Sequence, residues 1–169
     1  MRKAFFILVF ICASLSVVWA ASFEDSENGY KLEYPLGWSA SKMSEEVVKG
    51  NIFKDKITGV QVRIYDKHNM SLDSYSKWFS SDFIKQMQDR WGGIVKVIKR
   101  DNTMMAGYEC IITSYDFTRG DGQLRFLKTY LFDHTGNKVY VLQCGTTMDE
   151  RTVNEPIINS IANSFSFTH

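Results

Sequence analysis

The chain has 169 residues, 44% of them hydrophobic and 14% aromatic, enough for one domain with a sizeable core. Twenty Lys and Arg stand against 19 Asp and Glu, for a formal charge of +1, and no basic run is longer than two. Such a distribution gives no long-range field for phosphates, which excludes nucleic acid as a partner.

Met1-Arg2-Lys3 is a positive start, an apolar run fills residues 4–18, and Trp19-Ala20-Ala21 follows. With Val18 at −3 and Ala20 at −1, this predicts a secretory signal over residues 1–20, cut between Ala20 and Ala21. The apolar run is short of the roughly 20 residues that span a bilayer, so no stable membrane insertion is expected after removal. Cys12 follows Ile11, where a lipobox takes Gly, Ala or Ser. Export to the periplasm or the extracellular space is therefore expected, with one domain over 21–169. Removing Arg2 and Lys3 leaves 18 basic and 19 acidic residues.

Residues 23–35 read as strand, turn, strand, with Asn28-Gly29 predicting a type I′ hairpin and Pro35 ending the ladder. Leu36-Gly37-Trp38 makes a corner, where Trp38 plugs the end of a core. A second hairpin joins 47–54 to 60–65. In its second arm Val60, Val62 and Ile64 face the core, and Gln61, Arg63 and Tyr65 point away.

A helix is predicted over 72–88, with Ser71 as N-cap and Asp73 in the first turn. Leu72, Tyr75, Phe79, Phe83 and Met87 form its apolar stripe, and Gly92-Gly93 ends it. Strands follow at 94–98, 108–117, 124–132 and 139–144, with turns at Asp101-Asn102, 119–122 and 133–137. Hairpin-length, Gly-containing connections make the last three an antiparallel meander.

Pairing Phe117 with Leu124, and Phe132 with Lys138, puts Tyr108, Cys110, Ile112, Leu127, Leu131, Val139 and Val141 on one face. Tyr115, Phe117, Leu124, Phe126, Tyr130, Phe132, Tyr140 and Leu142 then share the other. Apolar residues on both faces require cover on both. A second helix, over 149–163, supplies the other cover with Val153, Ile157 and Ile161 on its stripe. It begins near Asn154 or breaks at Pro156. The reading is an α+β, α/β/α sandwich with a central antiparallel sheet. Cys110 and Cys144 lie on outer strands of the meander and on opposite faces, so no disulfide is expected.

Gly29-Tyr30-Lys31-Leu32-Glu33-Tyr34-Pro35-Leu36-Gly37-Trp38 resembles the opening of PsbP-like domains. Ser71 to Tyr75, at the start of the first helix, and Ile157 to Phe165 resemble that family too. It includes thylakoid-lumen PsbP proteins, bacterial DcrB-like periplasmic proteins and a eukaryotic Ran-binding import factor. The resemblance implies the same sandwich. Its motifs are turn and core patterns, so it carries over no functional residue.

Chemistry-bearing clusters are sparse. His68 and His134 belong to no zinc-like spacing, although Asp66-Lys67-His68 and Asp133-His134 could meet in space as a weak metal site. Cys144 has no neighbouring base, the glycines form no phosphate loop, and Arg119-Gly120-Asp121 sits where a turn wants Gly and Asp. No catalytic residue, metal or cofactor is expected.

The aromatic face of Tyr115, Phe126, Tyr130, Phe132 and Tyr140 is the candidate binding surface if the helices leave it open. The expected function is a monomeric, non-catalytic, exported module that binds a partner protein, as an accessory or assembly factor for an envelope or membrane complex. The alternatives are a carrier of a small apolar ligand on that face and, third, a hydrolase or metal-dependent enzyme of unrecognised type.

Overall fold

A computed structural model describes residues 19–168 of the chain. Residues 1–18, which hold most of the expected signal segment, lie outside the described residues. The expected cut between Ala20 and Ala21 falls near the start of β1 (Trp19–Asp25).

The remaining elements are β2 (Tyr30–Pro35), β3 (Ser39–Lys42), β4 (Val48–Phe53), β5 (Gly59–Asp66), α1 (Leu72–Trp91), β6 (Ile94–Met105), β7 (Tyr108–Thr118), β8 (Leu124–His134), β9 (Lys138–Thr147), α2 (Arg151–Asn163) and β10 (Ser166–Phe167). Seven strands form one sheet in the order β3-β4-β5-β9-β8-β7-β6, with every neighbouring pair antiparallel. A smaller sheet, β1-β2-β10, packs with α2 over one face of it. The helix α1 lies on the other face, over β6, β7 and β8. The fold is an α+β sandwich with helices on both faces.

Local chemistry explains α1. The Ser71 hydroxyl accepts from Ser74 N, a cap that contributes about 1 kcal/mol. Leu72, Tyr75, Phe79 and Phe83 are buried against Ile111, Tyr115, Leu131, Val139 and Val141. The helix runs to Trp91, three residues past the expected end, and Gly92 at φ 64° stops it. Trp38 is buried in the core, at the corner where it was expected.

Several local expectations are corrected. The β1–β2 turn spans four residues and has one positive φ, at Gly29. Asn28 instead donates to the Asp25 carboxylate from Nδ2 (2.6 Å) and from its backbone N (3.3 Å). The short edge strand β3, made of Ser, Ala, Ser and Lys, carries no alternating apolar signal and went unforeseen. Asp101 and Asn102 lie inside β6, paired with Ile112 and Ile111. The turn falls at Ala106-Gly107, where both φ angles are positive, as a two-residue hairpin demands. β6 is an exposed edge with a bulge at Ile98 and charged Lys96 and Lys99, devices that discourage edge pairing.

The helix α2 begins three residues before Asn154 and passes through Pro156 unbroken. Its first turn is anchored by contacts the sequence does not show: Arg151 lies 4.0 Å over the Phe126 ring and pairs with Glu155 at 2.9 Å. These anchors offset the hydrogen bond that Pro156 cannot donate. Its buried face is Asn154, Ile158, Ile161 and Ala162, while Val153 is 66% exposed.

The register of β7 against β8 differs by one residue from expectation. Thr118 pairs with Leu124, so Phe117 faces Arg125. A one-residue slip moves every side chain of a strand to the other face. Cys110 and Ile112 therefore join Tyr130, Phe132, Tyr140 and Leu142 beneath α2, and Tyr115 and Phe117 lie on the α1 side. Cys110 and Cys144 share a face after all, yet both are free thiols. Cys110 pairs across to Phe132 and Cys144 to Lys128, so β8 and a four-residue stagger separate them. Burial pushes the Cys110 thiol up to about 12, and Cys144 is raised too.

Candidate functional site

The aromatic set does not form a groove. Tyr115 is separated from the others by the thickness of the sheet, and Phe126, Tyr130, Phe132 and Tyr140 are covered by α2 and the small sheet. All five are 0–4% exposed. The Tyr130 hydroxyl donates to Asn159 Oδ1 at 2.6 Å, and Tyr140 Oη donates to the Asn28 carbonyl at 2.7 Å. Burial holds both hydroxyls neutral, with their pKa values raised. These side chains hold the layers together, and a ligand on that face would have no opening to enter.

The loops carrying His68 and His134 do meet. Lys67 pairs with Asp133, and Asn137 Nδ2 donates to Asp66 Oδ1 at 2.7 Å. Neither histidine enters a ligand set: His68 is exposed, and the His134 ring packs on Phe167 with centroids 4.1 Å apart. Among the described residues no group of three or more His, Cys, Asp or Glu could hold a metal ion. Arg119 and Asp121 close on each other as an ion pair of 3.0 Å within the β7–β8 turn.

The open ground is on the α1 face. One residue from each strand forms a row across the whole sheet, directly paired: Arg100, Thr113, Thr129, Gln143, Gln61, Asn51 and Ser41. Over β7 and β8 this row is enclosed by α1, and exposed Arg100 ties its end to the helix. Arg100 donates to Asp73 and Ser76 of the helix, and Thr113 and Thr129 are buried. Of the other half, Gln143, Gln61 and Asn51 floor a groove of about 630 Å³ between the C-terminal half of α1 and the β4–β5 hairpin.

Asn51, Gln61, Arg63 and Gln143 make a polar floor. Phe83, Met87, Arg90 and Trp91 wall it on the helix side, with Phe53, Lys56 and Ile57 opposite. Trp91 is 40% exposed and Ile57 45%. Arg119 lies 4.3 Å from the Trp91 ring and Arg90 5.1 Å, two cation–π contacts on one indole.

Arg63 extends along the floor. Its Nη1 donates to Tyr65 Oη at 3.3 Å and its Nη2 to Gln61 Oε1 at 3.0 Å. Its Nε and the nearby Gln143 Oε1 are buried with no protein partner. Asp55 is the acidic residue of the lining, and its carboxylate is already engaged by the N–H groups of Ile57 (2.7 Å) and Thr58 (2.8 Å). Burial raises its pKa, those N–H groups more than offset the rise, and it stays ionised below the usual 3.8.

The sequence showed that Gln61, Arg63 and Tyr65 point away from the hairpin's core. It did not show that α1, whose Phe79 packs on Tyr65, would leave Gln61 on an open floor. The chemistry available here is hydrogen bonding and charge pairing on an open polypeptide-width floor, with apolar contact at the walls.

A family model described as PsbP matches residues 20–167. No curated protein sequence matches. Among solved structures, the cyanobacterial PsbP of Synechocystis is similar at TM-score 0.70 and 16% identity, covering 94% of this chain and 98% of that one. The Ran-binding protein Mog1p of Saccharomyces cerevisiae is similar at TM-score 0.64 and 9% identity, covering 90% and 97%. LpqN of Mycobacterium tuberculosis, described as involved in cell envelope biogenesis, is similar at TM-score 0.59 and 14% identity, covering 83% of each. At these identities the likeness is one of fold.

Proposed function

The chain belongs to the PsbP family, and on that premise we propose that it is a non-catalytic protein that docks a segment of a partner protein in the groove beside α1. It is exported by its residues 1–20 and acts as an accessory or assembly factor for an envelope or membrane complex. The observation that carries this reading is the half-covered face. One helix encloses the polar row over β7 and β8 and leaves Gln143, Gln61 and Asn51 as an open floor with aromatic walls.

A floor of amides suits an extended chain, whose backbone offers a donor and an acceptor at every residue. Two structures of the same fold have described roles that agree with this: one protein is Ran-binding and one is involved in envelope biogenesis. Among the described residues no helix is long and apolar enough to cross a membrane.

A photo-crosslinking residue in place of exposed Lys56, at the groove rim, tests the docking in the producing cell. One dominant protein adduct at Lys56, absent when the probe replaces exposed Glu24 in β1, is the expected result. Identical adducts at both positions, or none at Lys56, overturn it. The intact mass of the purified protein tests export: a chain beginning at Ala21 supports it, and one retaining residues 1–20 refutes it.

A further inference from the structure

Arg63 is a permanent cation held in a partly desolvated floor without a counter-ion. Among the described residues it makes no ion pair, and its two side-chain partners, Tyr65 and Gln61, are neutral. Two of its five donors are engaged and Nε is buried with no protein partner, which leaves one N–H on each terminal nitrogen for a ligand. A buried charge without an opposing charge is costly, and a carboxylate matched to the fork removes that cost with two parallel hydrogen bonds.

The groove lining is net positive, with Asp55 its one acidic residue, and Asp82 of α1 lines the small adjoining pocket on the other side of Arg63. Lys56 and Arg90 stand on opposite walls, and Arg125 lines the extension of the groove past Trp91 together with Arg119, which is paired with Asp121. Asp55 offsets one of these charges; its Oδ1 accepts from the Ile57 and Thr58 N–H groups, and the lining keeps a net positive charge. The excess is local, since the whole chain is close to neutral.

We propose that the groove takes an acidic, extended segment of the partner, with an Asp or Glu carboxylate seated on Arg63. The flanking backbone of that segment bonds to Asn51, Gln61 and Gln143, and its apolar neighbours lie against Phe53, Ile57 and Trp91. This deepens the docking reading above and rests on it. The polar floor and the apolar walls together favour a polypeptide over a phosphate group, which would use the fork and leave the walls idle.

The test is selection of short random peptides displayed on phage, against the purified protein and against its Arg63→Gln variant. Peptides enriched by the wild-type protein are then made synthetically and titrated, with backbone and side-chain amide shifts locating the bound peptide. The expected result is enrichment of Asp or Glu flanked by apolar residues, with shifts at Asn51, Gln61, Gln143 and the Trp91 indole. Arg63→Gln should weaken those peptides by about tenfold or more, as should a Gln in place of the peptide's acid, and Arg63→Lys should recover part of the loss.

Peptides without an acid that bind the same residues overturn the carboxylate proposal and leave the docking reading standing. Equal affinity of an acidic peptide for wild type and Arg63→Gln does the same. No enrichment of any peptide at the groove, with shifts there produced only by anionic phospholipid vesicles, overturns both. Unchanged thermal unfolding of Arg63→Gln confirms that the comparison is between folded proteins.

Discussion

Asn154 Nδ2 donates to Thr146 Oγ1 across 2.9 Å with both residues buried, and this bond fastens the first turn of α2 to β9. Thr146 Oγ1 lies in turn 3.2 Å from Thr58 Oγ1, so the chain of contacts reaches the β4–β5 turn. Asn154→Ala should cost about 1–3 kcal/mol, the penalty for unmaking a buried hydrogen bond. Paired with Thr146→Val it should be less than additive, with a coupling of at least about 0.5 kcal/mol by urea denaturation. Amide exchange should accelerate first in residues 151–155, ahead of Pro156. Full additivity would show that the two side chains do not cooperate.

Two glycines of nearly equal φ should respond unequally. Gly93 has φ +88°, and an added Cβ there would collide with the Thr118 carbonyl oxygen and approach Arg119 Cα to 2.9 Å. Gly107 has φ +85° with nothing within 4 Å. Gly107→Ala should lose about 1 kcal/mol from backbone strain alone. Gly93→Ala adds a backbone clash and should lose about 3 kcal/mol or more. Equal midpoints in urea would refute the close approach of Gly93 to the β7–β8 turn.

Thr129 is fully buried under α1 between Leu127 and Leu131, and its hydroxyl has no protein partner. A buried hydroxyl left unpaired opposes folding, and Val has nearly the same shape without it. Thr129→Val should therefore raise stability by about 1 kcal/mol. A loss of that size would mean that the hydroxyl is bonded in solution.

The carboxylate of Asp25 should shape the acid limb of stability. Its side chain is wholly buried; burial raises its pKa, and hydrogen bonds from Asn28 and Lys42 outweigh that and hold it below 3.8. A carboxyl group with a depressed folded-state pKa stabilises fully above its unfolded pKa and loses that contribution as pH falls through the folded value. The urea midpoint should fall as pH drops below about 4. Asp25→Asn should be less stable at neutral pH and should flatten the fall. Matching acid slopes in the two proteins would remove Asp25 as its source.

Much of the architecture was legible because its causes are local. Ser71 caps α1, the 72–83 stripe faces the core, and Gly92 stops the helix. Val60 and Val62 alternate with Gln61 and Arg63 in β5. The register of β7 was not legible. Both of its faces are apolar, Cys110 and Ile112 on one and Ile111, Tyr115 and Phe117 on the other, so a one-residue slip carries no hydrophobic penalty in the pattern. The five-residue connection between Thr118 and Leu124 settles it, and Tyr115 moves with it to the α1 side. That slip takes Tyr115 from the expected aromatic face, and cover by α2 and the small sheet closes the other four.

From the amino-acid order alone came the identity of α1, the antiparallel meander and the demand for cover on both sides of the sheet. The groove came only from the assembled layers. A helix is about 10–12 Å across, while seven strands about 4.8 Å apart make a layer about 29 Å wide, so one helix leaves part of its face uncovered. Which strands stay bare is decided by where α1 seats, with Phe83 against Tyr115 at 5.2 Å, and periodicity along one chain segment does not encode that contact.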